Sequence, residues 1–233
     1  MLLRYLLILT VLTPLFQPGG RASAQVVMSG PTTCPGVALT FDRCPVRHPV
    51  GYDAALVDDL KTRSIPATFF ISGRWAERHE QAVQVLRTVP FFELGTHGEA
   101  HAHLPMLDDA GQRQEILRAV SLLQHRFGVA APLFRPPYGE YDDVTVQIVK
   151  TLKLQFILWD VVSGDPDPAL SAPEILERLS RRIRPGSIVV LHANGKGRHT
   201  RQIVQALTES ILPHKRLRPM TVSALLACRN ETR

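Results

Sequence analysis

The sequence predicts a single-domain α/β protein whose parallel sheet closes into a barrel of about seven strands. Short apolar runs of about four to seven residues alternate with amphipathic helical patterns along the whole chain, which is the signature of a parallel sheet. Seven or so such units within about 200 residues favour a closed barrel over an open doubly wound sheet. No GxGxxG or P-loop opens any of the helices, which counts against a nucleotide-binding fold. At 233 residues, with 45% hydrophobic and 21% charged residues, the chain can hold one sizeable core.

The units follow in order. Val37–Phe41 reads as a strand and precedes a helix at about Ala54–Arg63, where Leu56, Val57 and Leu60 share a face. Ala67–Ile71 precedes Glu80–Arg87. Phe91–Leu94 precedes Ala110–Arg126, with Ile116, Leu117, Val120 and Leu123 on one side. Leu133-Phe134 precedes Val144–Leu152. Leu154–Trp159 precedes a helix that starts near Pro173, runs through Ile175, Leu176, Leu179 and Ile183, and is stopped by Pro185-Gly186. Ser187–Leu191 precedes Arg201–Ile211. Met220–Val222 precedes a last short helix holding Leu225 and Leu226.

Residues 1–24 stand apart. Arg4 precedes an almost continuous apolar run from Leu6 to Phe16, and Ala22-Ser23-Ala24 fits a signal-peptidase site, so a secretory signal is expected there. The expected division is signal 1–24, a lead 25–33, one domain 34–228 and a tail 229–233. Location is then secreted or periplasmic, with no stable membrane insertion after cleavage. Removing the signal lowers the net charge from +6 to +4, because it carries Arg4 and Arg21 and no acid. That balance suits an anionic polymer or surface. The scattered Arg and Lys residues, without a basic-aromatic stripe, do not suit nucleic acid. Cys34 and Cys44 flank one strand-like run that would hold them roughly 30 Å apart, too far to bridge. Cys34 and Cys228, near the two ends of the domain, are the more plausible pair, with three free, mostly buried thiols as the alternative. Oligomeric state is not encoded in any feature of the chain.

Chemistry in a parallel barrel collects at the C-terminal ends of its strands. Here five strands finish on ionisable residues: Asp42, then His97 with His101, then Arg135, Asp160 and His192. Two imidazoles four apart would fall on one face of a single helical turn and can grip one metal ion. The glutamate at the third position, Glu99, separates His97-Gly98-Glu99-Ala100-His101 from the zincin motif.

These motifs resemble the polysaccharide deacetylases, the NodB-homology carbohydrate esterases (family 4). Thr40-Phe41-Asp42, His97-x-x-x-His101, Arg135-Pro136-Pro137-Tyr138-Gly139, Trp159-Asp160 and Val190-Leu191-His192 occur in that family's order across residues 34–228. The resemblance implies a distorted (β/α) barrel that removes N-acetyl groups from an N-acetylated glycan with a divalent metal, zinc first, with cobalt and manganese as alternatives. It implies His97 and His101 as metal ligands, Asp42 as the general base and His192 as the general acid. Arg135 would orient Asp42, and Asp160 would sit behind His192. The Tyr138 amide would stabilise the oxyanion, and Val190 would line the pocket for the acetyl methyl.

Two positions depart from the family pattern. Arg43 stands where the family has the Asp that is the third metal ligand, and Gly98 stands where it has Ser or Thr. An arginine cannot ligate and would add positive charge near the ion, so Arg43→Asp is expected to raise metal affinity. The departure leaves three readings: a weakly held ion, a substitute ligand from Glu99, His103 or Cys44, or a non-catalytic glycan-binding protein on the same fold. The polar loop His192–Thr200 could contact sugar, or could simply lead into a helix capped by Thr200. Trp75 and Tyr141 could stack on sugar rings.

Overall fold

The computed structural model describes residues 26–45 and 51–228; the expected signal segment and the C-terminal tail lie outside them. Among the described residues nine strands are interleaved with helices: β1 (Val26–Val27), β2 (Gly36–Arg43), α1 (Ala54–Thr62), β3 (Ala67–Ile71), α2 (Gly73–Arg78), α3 (Glu80–Thr88), β4 (Phe92–Thr96), α4 (Asp109–Phe127), β5 (Leu133–Phe134), α5 (Asp143–Thr151), β6 (Gln155–Ile157), β7 (Val161–Val162), α6 (Ala172–Arg182), β8 (Ile188–His192), α7 (Thr200–Ala206), α8 (Leu212–His214), β9 (Arg218–Met220) and α9 (Val222–Ala227). The predicted strands and helices are all present, most with ends within two residues; the last strand is Arg218–Met220 rather than Met220–Val222, because Val222 already starts α9. Two short strands, β1 and β7, and the helix α2 were not expected. A π-helical segment, Leu207–Ile211, also carries α7 on into α8.

All strand pairings in the sheet are parallel, in the order β1-β6-β5-β4-β3-β2-β8-β7, with β9 added to the start of β2. The barrel is distorted because it closes through one broken strand. β6 pairs with β5, and after Leu158-Trp159-Asp160 the same run continues as β7 beside β8. Asp160 mends the break. Its Oδ1 accepts from the Ile188 N–H at 2.7 Å and its Oδ2 from the Ser187 hydroxyl at 3.1 Å, where ladder bonds would otherwise run.

Side-chain alternation along β2 and β8 separates two layers. Val37, Leu39 and Phe41 join Phe69, Ile71, Val189 and Leu191 in the large core between sheet and helices. Ala38 joins Phe70, Leu133, Ile157 and Ile188 inside the barrel, together with Val222 and Leu225. Those last two come from α9, which closes the N-terminal end, so the cleft is left at the other end.

Cys34 and Cys228 form a disulfide, with Cα atoms 5.9 Å apart and 194 residues between them. It ties the start of the first long strand to the end of α9, and Cys44 stays a thiol. Closing a loop that long removes much unfolded-chain entropy. The Cys34→Ser/Cys228→Ser double change is expected to lower unfolding free energy by about 2–5 kcal/mol. Denaturant unfolding checks this, and an unchanged midpoint would show that the ends are held without the bridge.

Candidate active site

Register brings the strand-end residues together. Asp42 lies directly across from His192 on β8, and Thr96 pairs with Phe134, so His97 and Arg135 follow side by side. A cleft of ≈ 270 Å³ is lined by Asp42, Cys44, His97, His101, Tyr138, Trp159, Val190, His192 and Lys196, among others.

Arg135 is fully buried. One guanidinium nitrogen donates to Asp42 Oδ1 at 2.8 Å and to the Thr40 hydroxyl at 2.8 Å; the other donates to the Leu158 carbonyl at 3.0 Å. Its plane lies over the Phe70 ring, 4.0 Å from the centroid. Burial alone would raise the Asp42 carboxyl, but Arg135, with His97 and His192, outweighs it and holds Asp42 below the usual carboxylate range.

The His97 ring nitrogen Nδ1 donates to the Arg135 carbonyl at 2.9 Å, which leaves Nε2 free, 3.8 Å from Asp42 Oδ2. The two histidine rings are 4.9 Å apart. They do not sit on a helical turn as the spacing suggested. Gly98 and His101 both take positive φ, +69° and +64°, and break the helical path. The loop's carbonyls are used elsewhere: Gly98 and Glu99 accept from the Gly73 and Arg74 N–H groups that start α2. Its amides are held by buried Glu115, whose Oε1 accepts from Ala100 and Ala102 at 2.8 and 3.1 Å. A side chain at 98 would meet that same carboxylate at 2.9 Å and would hold a strained positive φ, so glycine is favoured on both counts. Burial, followed by the His97 charge, pulls His101 down to about 3, and burial lowers His97 as well.

At the facing end, Asp165 rather than Asp160 backs His192. The His192 Nδ1 donates to Asp165 Oδ1 at 2.9 Å and its backbone N–H to Oδ2 at 2.8 Å. Ser163 and Thr200 hydroxyls donate to the same carboxylate at 2.8 and 2.6 Å. Burial would lower His192, but the Asp165 hydrogen bond and charge outweigh it, and the imidazole is raised above its ordinary value. Asp160 is turned to the base of β8 because it sits in the strand break, whereas Asp165 lies beyond β7 and reaches the top. Thr200 therefore spends its hydroxyl on Asp165; it is the first residue of α7 and not its cap. Any side chain at Gly197 would meet Thr200 Oγ1 at 1.9 Å and Asp165 Oδ2 at 2.6 Å.

Arg43 does not face the cleft. As the residue after Asp42 it points to the outer core, where its guanidinium lies 5.1–5.2 Å from the Tyr52, Phe69 and Trp75 ring centroids and donates to the Ala193 carbonyl. An aspartate at 43 would project into this aromatic cage, so the expected gain in metal affinity from Arg43→Asp does not follow. Cys44, the next inward residue, lines the cleft instead. Its Sγ and ring nitrogens of His97 and His101 all lie within 4.8 Å of one another, a group that can hold a metal ion. Burial and then the Asp42 charge push the Cys44 thiol up.

The other proposed substitutes are elsewhere. His103 pairs with Glu140 at 2.7 Å and stacks on Tyr138, and Glu99 packs against Gly73. Trp75 is fully buried and Tyr141 packs on Phe156; Trp159, next to the strand break, is the aromatic wall of the cleft. Tyr138 (φ +61°) and Val190 line the cleft. From the loop after β8, Lys196 joins them.

Residues 29–157 match the polysaccharide deacetylase family, more than half of the chain, and the protein belongs to it. A peptidoglycan-N-acetylglucosamine deacetylase of Bacillus cereus is 29% identical over 185 residues, 79% of this chain and 65% of that protein. A chitooligosaccharide deacetylase of Sinorhizobium fredii is 30% identical over 167 residues, 69% and 73% of the two chains. The chain thus spans about two-thirds of the Bacillus relative. The fold is shared with a family 4 carbohydrate esterase pseudoenzyme from Bacillus anthracis, with TM-score 0.78 and 22% identity over 88% of this chain and 69% of that one.

Arg43 gives a stability test. Burial lowers its guanidinium to about 9, and its Nε and Nη2 have no hydrogen-bond partner among the described residues. Arg43→Met keeps the packing and removes a poorly solvated charge, so stability is expected to hold or rise. Arg43→Ala leaves a cavity and should cost about 2–4 kcal/mol. Equal losses in both variants, read by thermal and denaturant unfolding, would mean that the charge itself is stabilising.

Proposed function

We propose that this chain is a secreted or periplasmic hydrolase that removes N-acetyl groups from an amino-sugar polymer or oligomer, chitin-like or peptidoglycan-like, with Asp42 as base and His192 as acid. The observation that carries this reading is the pair of oppositely biased groups across one cleft. Asp42 is held ionised by Arg135, and His192 is held toward its charged form by Asp165. The named relatives and the net charge after signal removal agree with such a substrate.

An amide is a poor electrophile, and its amine leaves only once protonated. A divalent ion, zinc by the imidazole donors, would be held by His97 and His101 and would supply polarisation of the amide carbonyl and acidification of water. Their lowered basicity keeps both imidazoles neutral, as ligands must be. Asp42 Oδ2, the oxygen that Arg135 does not hold, takes the proton from the attacking water. The Tyr138 backbone amide meets the oxyanion and Val190 receives the acetyl methyl. His192 gives the proton from Nε2 to the departing amine, with Nδ1 anchored on Asp165.

Acetate release from chitin oligomers and peptidoglycan fragments, with zinc, cobalt or manganese added, tests the reading. Glycan binding without release under any metal would replace it with a non-catalytic glycan-binding protein on the same fold. His192→Ala and Asp42→Ala are each expected to lower kcat by about 10²–10⁴-fold while metal binding survives in calorimetry. Full turnover in either would remove its assigned role.

Asp165→Asn removes the charge that raises His192. The imidazole then loses its proton at lower pH, so the alkaline limb of the kcat profile should move to lower pH. An unmoved limb, with kcat merely reduced, would make Asp165 a packing residue.

A further inference from the structure

The geometry points to Cys44 as the third protein ligand of the metal, giving a Cys44–His97–His101 site in place of one completed by a carboxylate at position 43. The inference rests on the reading above that an ion is held by the two histidines, and it concerns what completes their set.

Three observations carry it. Arg43 is committed to the outer layer by the alternation of β2 and by its three aromatic neighbours, so position 43 offers nothing to the cleft. The same alternation turns Cys44, two residues on from Asp42, inward. There its Sγ and the two imidazoles form the only group of three or more metal-ligating side chains found within reach of one ion among the described residues.

Donor atoms about 2.0–2.3 Å from a tetrahedral ion stand about 3.5 Å apart, and these lie within 4.8 Å, so side-chain rotation of about 1 Å closes the set. The Cys44 backbone is fixed from outside, since the Asn194 side-chain amide donates to its carbonyl at 3.3 Å. Cys44 is buried and takes no part in the disulfide, and the proposed deacetylation gives it no other task.

The consequence is selectivity. Two imidazoles and a thiolate form a softer set than two imidazoles and a carboxylate, so the site should prefer zinc or cobalt(II) strongly over manganese.

Cobalt(II) is the probe, added to the metal-free full-length protein with its disulfide intact. The wild type is expected to show a near-ultraviolet thiolate-to-cobalt charge-transfer band that zinc abolishes and a large excess of manganese does not. Cys44→Ala should lose the band and weaken cobalt binding by at least the ~10–100-fold that losing an outer partner of a metal ligand costs. Cys44→Asp should bind cobalt without the band, which separates loss of the ligand from loss of the fold. Tight cobalt binding by the wild type without the band, or a band that persists in Cys44→Ala, would overturn the Cys44 assignment and leave the histidine site standing. No cobalt binding by the wild type, with its fold verified by circular dichroism, would overturn both.

Discussion

The buried pairing of Arg135 with Asp42 is the interaction on which the rest of the site depends. One residue spans three parts of the barrel: its guanidinium reaches β2 through Thr40 and Asp42 and the strand break through the Leu158 carbonyl, and its backbone carbonyl accepts from His97 of the histidine loop. A buried charge must be paired, and breaking such a pair typically costs about 3–5 kcal/mol. Position and ionisation of the base are therefore set by the same contacts that close the barrel. The Phe70 and Trp159 rings on either side exclude solvent and leave the guanidinium few other arrangements.

The second constraint is the two-residue period of β2. Thr40, Asp42 and Cys44 belong to the inner face; Phe41 and Arg43 belong to the outer one. A substitution that reads in one dimension as a lost ligand with added charge is, in three dimensions, a rearrangement. The arginine leaves for an aromatic cage, and a thiol occupies the cleft wall beside the histidines. The fold is common to a peptidoglycan deacetylase and to a pseudoenzyme. Function here consequently turns on a few side chains and not on the scaffold.

Much of this is legible in the amino-acid sequence. The apolar runs and helical faces located the predicted elements, and the strand ends picked out Asp42, His97, His101, Arg135 and His192, which do converge. The Cys34–Cys228 disulfide is the favoured pairing from where those residues sit in the chain, and the structure forms it. Not legible were β1 and β7, two residues each, because strands that short carry no periodicity to read. Glu115 was hidden as one more polar residue on an amphipathic helix. Asp165 was hidden by its neighbour: Asp160 and Asp165 are chemically equivalent carboxylates, five apart after the same strand.

The sequence by itself determined the alternating architecture, the end of the barrel where chemistry gathers and most of the residues that gather there, because these follow from local periodicity and residue type. Tertiary structure alone decided which carboxylate serves His192, which face Arg43 takes and which sulfur stands beside the imidazoles. Each of those depends on a backbone event that local patterns do not encode. The first is a strand broken at Leu158–Asp160, which sends one aspartate to the bottom of β8 and the next to its top. The others follow from a strand that runs one residue past Asp42, turning Arg43 outward and bringing Cys44 in.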